Sequence, residues 1–177
     1  MKKAVFLDRD GVVNKALVVN GKPYSPRLVE EVEIIPGVAQ SVLELKKEGF
    51  EVIVITNQPD IARKKVTTEI IKEIHDFIKK ETGITEFYFC PHDDIDSCKC
   101  RKPKAGLITQ AATDLKIDLN QSFLVGDRWK DITAGQIAGC KCFFINENYS
   151  ENMPSMPYTE VKSLKDATWK ILNKKSH

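Results

Sequence analysis

The first residues able to do chemistry are Asp8 and Asp10, set either side of Arg9 and followed by Gly11, at the end of the apolar run Ala4-Val5-Phe6-Leu7. On an extended chain, positions i and i+2 fall on one side, so the two carboxylates can converge. Joined by a third from Asp127, they would repel one another strongly unless a divalent cation neutralised them, and hard oxygen ligands with open water positions suit Mg²⁺. A phosphorylated substrate completes that arrangement. One carboxylate can attack phosphorus to give an aspartyl-phosphate, while a second protonates the leaving oxygen and then activates water. Asp8 is the expected nucleophile and Asp10 the expected acid/base. An isolated D-x-D-G reads equally well as a polar turn after a strand, so its company decides. Thr56 offers a hydroxyl and an amide to the transferring phosphoryl oxygens, and Lys102 brings positive charge to the same oxygens, the main source of catalysis in phosphoryl transfer. Arg101, planar and bidentate, suits a second anionic group or sugar oxygens, or else a salt bridge at the rim. Asp131 either orients the loop after Asp127 or caps the helix that follows.

A second constellation is Cys90-Pro91-His92 followed by Cys98-Lys99-Cys100, three soft sulfurs and an imidazole within one short loop, a set that fits tetrahedral Zn²⁺. The site is expected to be structural, because so short a loop cannot build a core of its own. Zinc would then fix Arg101 and Lys102 against the phosphate site. The competing readings are a redox pair at Cys98 and Cys100, for which C-x-C is a poor match to C-x-x-C, or unconnected thiols. The odd total of five cysteines, three of them between Cys90 and Cys100, suits a metal site in a reducing compartment better than a disulfide framework. Cys140 and Cys142 read as small buried hydrophobes. His75, inside a helical stripe, and His177, at the terminus, have no visible partner.

These groups need elements to carry them. Runs rich in Val, Ile and Phe, at Ala4–Leu7, Val52–Ile55, Phe87–Phe89, Ser122–Val125 and Cys142–Ile145, read as buried parallel strands. Val38, Val42 and Leu45 behind Pro36 predict one helix ending near Gly49. Ile70, Ile71, Ile74, Phe77 and Ile78 predict a second starting at Thr67 or Thr68, and Leu107, Ile108, Ala111, Ala112 and Leu115 a third. The alternation predicts an α/β fold, a Rossmann-like open parallel sheet with helices on both faces. Such sheets keep their chemistry beyond the carboxyl ends of the strands, where Asp8, Thr56 and Asp127 all fall. Val12–Pro36 reads as a flap or hairpin, Asn146–Pro157 as a loop, and Leu164, Ala167, Trp169 and Leu172 as a terminal packing helix.

The 177 residues are expected to form one domain over 1–177, with no segment large enough for a separate cap domain. Hydrophobic residues at 42% and charged residues at 29% exclude a disordered or coiled-coil chain. No apolar run approaches a membrane span or a signal-peptide core, so the expected partners include no membrane and the expected location is cytoplasmic. The net charge of +2 is scattered along the chain, which argues against nucleic acid as a partner. A monomer is expected.

Taken in order, Phe6-Leu7-Asp8-Arg9-Asp10-Gly11, Thr56-Asn57-Gln58, Arg101-Lys102-Pro103 and Val125-Gly126-Asp127 resemble the four motifs of the haloacid dehalogenase superfamily of phosphatases, over about residues 4–145. The nearest likeness is to its branch acting on heptose bisphosphates and histidinol phosphate, which also carries a C-x-H…C-x-C-R-K-P zinc loop. The resemblance implies an aspartyl-phosphate intermediate and Mg²⁺ held by Asp8, the Asp10 backbone carbonyl and Asp127. It also implies Zn²⁺ on Cys90, His92, Cys98 and Cys100. Asn57, Gln58, Arg63, Arg101 and Arg128 are the candidate contacts to a small phosphorylated sugar, with a heptose bisphosphate losing its 7-phosphate as the expected substrate. The heptose enzymes generally continue after Thr-Asn-Gln with Ser-Gly-Ile-Ala-Arg, whereas this chain has Pro59-Asp60-Ile61-Ala62-Arg63. Pro59 removes a backbone donor, and Asp60 adds a negative charge near a site meant for an anion. In the flap, Lys22 or Tyr24 is expected near the substrate or on the surface. The alternatives are histidinol phosphate, whose amine would favour carboxylates such as Asp60 or Asp93, and a non-catalytic zinc-bearing module that binds a phospho-ligand. A nucleic-acid 3′-phosphatase is disfavoured by the dispersed charge.

Overall fold

The first apolar run forms β1 (Lys3–Leu7) in the computed structural model, which describes residues 1–173. It lies inside a six-stranded sheet completed by β4 (Phe50–Asn57), β5 (Glu86–Cys90), β6 (Phe123–Gly126), β7 (Lys141–Ile145) and β8 (Thr159–Val161), in the order β5-β4-β1-β6-β7-β8. Every pairing in that sheet is parallel. A second, antiparallel pair, β2 (Leu17–Val19) with β3 (Lys22–Tyr24), is the flap hairpin.

Parallel strands are covered on both faces, which is why their sequences are apolar without a break. Alternate residues go to opposite cores. Val5 and Leu7 of β1 and Val52 and Val54 of β4 pack with α1 (Val38–Lys47), α2 (Thr68–Thr82) and α5 (Leu164–Asn173). Ala4, Phe6, Ile53 and Ile55 face the other way, against α3 (Gly106–Leu115) and α4 (Trp129–Ala138). Thr67 proves to be the cap of α2, its hydroxyl accepting from the Ile70 amide at 3.3 Å, and Gly83 closes the helix at φ 77°.

One element was not anticipated, β8, while α4 was expected only as the helix that Asp131 caps, with no apolar stripe to mark it. In α4, polar and apolar residues are mixed because it lies tightly on the sheet, and a Cβ at Gly135 would come within 2.7 Å of Cys142 Sγ. The terminal helix forms as expected, but Trp169 is 63% exposed and Ile171 takes the buried position instead. Cys140 and Cys142 are buried, as read. His177 lies outside the described residues. No helix among the described residues is long and apolar enough to cross a membrane. The hairpin is tied down at its tip, where the Ser150 amide donates to the Gly21 carbonyl at 2.8 Å, so the 146–157 loop and the flap meet.

Candidate active site

The carboxyl ends of β1, β4 and β6 deliver Asp8, Thr56 and Asp127 to one edge, and all three are buried. Asp8, Asp127 and Asp131 each bring a carboxylate oxygen within 4.8 Å of the others. Gly11 makes this possible: at φ 99° it sits so close that a Cβ there would be 1.9 Å from Asp127 Oδ2. Neither oxygen of Asp127 has a hydrogen-bond partner among the described residues. Burial first, then the charges of Asp8 and Asp131, push the Asp127 carboxyl well above the usual range, with the nearby Tyr149 phenol only partly offsetting them. Burial and the Asp131 charge likewise push Asp8 up to about 6, against the pull of Lys102. Crowded carboxylates with orphaned buried oxygens are the donor set that a hard divalent cation completes, so Mg²⁺ fits here.

Lys102 is also buried, its Nζ 2.7 Å from Asp8 Oδ1, 2.7 Å from Asp131 Oδ1 and 2.9 Å from the Ile55 carbonyl. Burial would lower its pKa, but the two carboxylates outweigh that and raise it, so the ammonium is permanent. Asn57 fixes its backbone: Asn57 Nδ2 donates to the Lys102 carbonyl and the Lys102 amide donates to Asn57 Oδ1, both at 3.0 Å. Asp131 fills both anticipated roles, because its Oδ2 accepts from the Arg128 amide at 3.0 Å at the start of α4 while Oδ1 meets Lys102.

The Asp10 side chain turns away from this trio. Its Oδ1 accepts from Arg9 Nε and Asn14 Nδ2, and its Oδ2 from Arg9 Nη2, Ser25 Oγ and Gln58 Nε2, over 2.8–3.2 Å. Burial alone would raise its pKa, but the Arg9 charge and the bonds from Arg9, Asn14 and Ser25 prevail and hold it below the usual range. Gln58 also donates to Thr56 Oγ1 at 2.9 Å and lies behind the cleft wall instead of lining it.

Outward from Asp8 and Lys102 the cleft opens past Tyr24, Arg128 and Lys130 into a hollow of about 240 Å³ walled by Lys22, Arg63 and Arg101. Lys22 and Tyr24 therefore both face the cleft. Its arginines come already paired. Arg63 holds Asp93 at 2.6 and 2.8 Å, Arg101 donates to Asp94 at 2.7 Å and to the His92 carbonyl at 3.2 Å, and Arg128 grips Glu151 with two nitrogens. Lys130 is held loosely, 3.8 Å from Asp94. Asp60 does lie on the wall of this hollow, as expected, but it lies there paired. It is 5% exposed and lies between Arg27 at 2.7 Å and Arg63 at 3.5 Å, so its charge is spent on fixing two cations, one from the flap side and one from the cleft wall. Asp60→Ala is therefore expected to destabilise the fold by about 1–2 kcal/mol in urea unfolding, each half-exposed pair contributing modestly. A loss of less than a few tenths would show the pairs to be incidental.

Beside the cleft, β5 ends at Cys90, and the loop back brings His92, Cys98 and Cys100 around one point. Cys90 Sγ lies 3.5 Å from Cys98 Sγ, 3.1 Å from Cys100 Sγ and 3.6 Å from His92 Nδ1. Cys100 Sγ is 3.4 Å from both Cys98 Sγ and His92 Nδ1. The edges of a zinc–thiolate tetrahedron are about 3.7 Å, so these four donors are arranged as zinc would hold them.

Several site residues escaped sequence reasoning. Ser25, Asn14 and Arg27 reach the site from the flap connection, Lys130 from α4, and Tyr149 and Glu151 from the 146–157 loop. None sits at a predicted strand end, the signal that marks Asp8, Thr56 and Asp127, or in a spacing motif such as the one that marks Arg101, Lys102 and the cysteine loop.

A model of haloacid dehalogenase-like hydrolases matches residues 17–139, and the chain belongs to that family. The match begins after the Asp8–Asp10 pair. Among its relatives, the D-glycero-beta-D-manno-heptose-1,7-bisphosphate 7-phosphatase of Haemophilus ducreyi is 34% identical over 152 residues, which cover 79% of this chain and 80% of that one. The D-glycero-alpha-D-manno-heptose-1,7-bisphosphate 7-phosphatase of Photorhabdus laumondii is 35% identical over 166 residues, covering 86% and 87%. The crystal structure of the D,D-heptose 1.7-bisphosphate phosphatase from B. bronchiseptica, complexed with magnesium and phosphate, is similar at a TM-score of 0.85 and 26% identity, covering 97% of this chain and 99% of that one.

Proposed function

We propose that this chain is a Mg²⁺-dependent phosphomonoesterase that removes the 7-phosphate of D-glycero-D-manno-heptose 1,7-bisphosphate through an aspartyl-phosphate on Asp8. The observation that carries the reading is the meeting of Asp8, Asp127, Lys102 and Thr56 at one sheet edge, in a chain whose relatives bear that activity in their names.

An Asp8 oxygen attacks phosphorus, the bond from phosphorus to the sugar oxygen breaks, and that oxygen takes a proton from Asp10. Asp10 then withdraws a proton from the water that attacks the aspartyl-phosphate, and inorganic phosphate leaves with Asp8 restored. Hydrogen bonds around Asp10 favour its carboxylate, the state that activates water, so the acid step draws on the minority of molecules in which Asp10 is protonated. Lys102 already sits 2.7 Å from Asp8, where it meets the oxygens of the phosphoryl group as that group transfers, and Thr56 closes the other side. When bound by Asp8, Asp127 and the Asp10 carbonyl, Mg²⁺ supplies the positive charge that lets carboxylates and phosphoryl oxygens share so small a space. Zn²⁺ on Cys90, His92, Cys98 and Cys100 would hold the loop and act on the reaction only through the placing of Arg101 and Lys102. The enzyme acts as a single catalytic domain and a monomer in the cytoplasm on a small sugar phosphate, with no membrane or nucleic-acid partner.

The second phosphate belongs in the outer hollow. Arg63 and Arg101 have much of their hydrogen-bonding capacity committed to Asp93, Asp94 and the His92 carbonyl, so the cations freer to meet a new anion are Lys130, held only loosely by Asp94, and Lys22 on the flap. Lys130→Ala is expected to raise KM for the bisphosphate about tenfold while leaving a heptose 7-monophosphate within about twofold, as expected for loss of one charge-assisted contact. Equal effects on both would remove Lys130 from that role. Histidinol phosphate is disfavoured, because Asp60 and Asp93, the carboxylates that would draw its amine, are occupied by arginines.

The deciding assay measures phosphate release with Mg²⁺ from both anomers of heptose 1,7-bisphosphate, histidinol phosphate and generic sugar phosphates. Preference for a heptose anomer supports the reading, and preference for histidinol phosphate overturns the substrate. No turnover across the panel would favour a binding module, which beryllofluoride would mark by failing to raise the melting temperature in the presence of Mg²⁺.

A further inference from the structure

Arg9 stands between the two carboxylates of the first motif yet has no part in the reaction above. Its side chain is 0% exposed and runs inward under the sheet edge. Nε donates to Asp10 Oδ1 at 3.0 Å and Nη2 to Asp10 Oδ2 at 3.2 Å, while Nη1 lies 3.3 Å from His75 Nε2. A guanidinium carries donors only, so Nε2 must be the acceptor, and the His75 ring is neutral with its proton on Nδ1. Burial first, then the Arg9 charge, hold His75 down to about 3, which keeps that lone pair available at any working pH. The ring itself cannot swing. It stacks on Phe87 at 4.7 Å and 18° and meets Phe89 edge-on at 5.7 Å. The expectation that His75 has no partner is thus corrected: the histidine of the α2 stripe faces a buried cation.

We propose that His75 is a positioning residue for phosphoryl chemistry: as a neutral acceptor wedged between Phe87 and Phe89, it anchors the third arm of Arg9, so that the other two hold the Asp10 carboxylate in one plane. The need for such an anchor comes from the opposite side of Asp10. Ser25, which donates to the same Oδ2 at 2.8 Å, arrives on the flap connection, and the flap also faces substrate. A carboxylate shared between flap and core keeps its aim only if the core side is the stiffer. A bidentate fork on a fully buried arginine, itself pinned by an aromatic-clamped imidazole, is that stiffer side. Asp10 acting as acid/base rests on the function proposed above; the geometry of Arg9 does not.

The test compares His75→Phe, which fills the slot without an acceptor, and His75→Gln, which restores one, in protein loaded with Zn²⁺ and Mg²⁺. His75→Phe is expected to lower kcat about tenfold or more with KM within about twofold, a fraction of what a positioned acid/base contributes. His75→Gln is expected to recover most of it. In an Asp10→Asn background His75→Phe should cost nothing further, since its target is gone. The Arg9 Nε–H resonance in ¹⁵N NMR should be protected from exchange in the parent and in His75→Gln, and lost in His75→Phe. Equal losses in the Phe and Gln variants, or the same loss without Asp10, would overturn the role. Should His75→Phe not fold, His75→Leu takes its place. A parent without turnover would overturn the proposed function, and the anchoring of Arg9 by His75 would then be decided on the Arg9 resonance alone.

Discussion

Asp8→Asn is expected to lower phosphate release by at least about 10⁴-fold, because the amide cannot form the acyl phosphate and no other carboxylate stands at the same point. The nearest substitutes are badly placed for the part. Asp131 is bound to Lys102 and to the start of α4, and Asp10 is turned toward Arg9. The same change should stabilise the protein while Mg²⁺ is absent. Asp8 titrates near 6 in the fold against an ordinary value of 3.8, so the native state holds its proton more tightly than the unfolded chain does. Stability is then unaffected by this group below about 4 and lost as pH rises toward 6, by about 3 kcal/mol in all. Asn at this position removes that loss and can still accept from Lys102. Melting curves of parent and variant in Mg²⁺-free buffer should diverge between pH 5 and 7, with the variant higher, and Mg²⁺ should close the gap by lifting the parent alone. A variant that melts lower than the parent at pH 7 would mean that the Lys102 contact outweighs the crowding of carboxylates. Residual turnover near the parental rate would sink Asp8 as the nucleophile.

Removing the zinc proposed for the Cys90–Cys100 loop has the second large effect. Structural zinc contributes roughly 10 kcal/mol of apparent binding free energy in small sites, and even a third of that amounts to about 10 °C in melting temperature for a chain of this size. The loss should reach catalysis as well. Lys102 follows Cys100 by two residues, and Arg101 rests on the His92 carbonyl, so releasing the loop frees the ammonium from its place between Asp8 and Asp131. Cys98→Ser, or stripping with a thiol-competitive chelator, is therefore expected to cut kcat by about 10–100-fold and to be reversed for the stripped parent by added Zn²⁺. Metal content by mass spectrometry, read beside kcat, provides the check. Full activity in a chain shown to be free of zinc would separate the loop from the reaction.

Much of this is legible in the amino-acid sequence. Strands β1, β4, β6 and β7 carry apolar residues on both faces, and that unbroken run is the mark of a covered parallel strand, so their polar ends at Asp8, Thr56 and Asp127 were legible as a set. The cluster of Cys90, His92, Cys98 and Cys100 was legible from spacing alone. In α4, by contrast, the helical period is blurred by close contact at Gly135, and β8 is only three residues long. The supports of the site were hidden for a different reason. Arg9 and His75 lie 66 positions apart, Arg27 and Asp60 lie 33 apart, and Ser25 reaches Asp10 across 15. Such pairs depend on how helices and flap settle on the sheet, and no local pattern encodes them. Asp60 shows the cost: judged by charge alone it looked like an obstacle to an anion, whereas its neighbours make it a tether for arginines.

The junction between Gly21 and Ser150 bears on how this enzyme could be altered. The flap tip lies directly against the Ser150 backbone, and a Cβ at Gly21 would stand 2.3 Å from Ser150 Oγ. The same short stretch presents Glu151 to Arg128 and places the Tyr149 phenol near Asp127. A hairpin transplanted from a relative with a different substrate would therefore arrive without its counterpart. The two segments, more than a hundred residues apart in the chain, form one exchangeable cassette, and swapping specificity means moving both halves together.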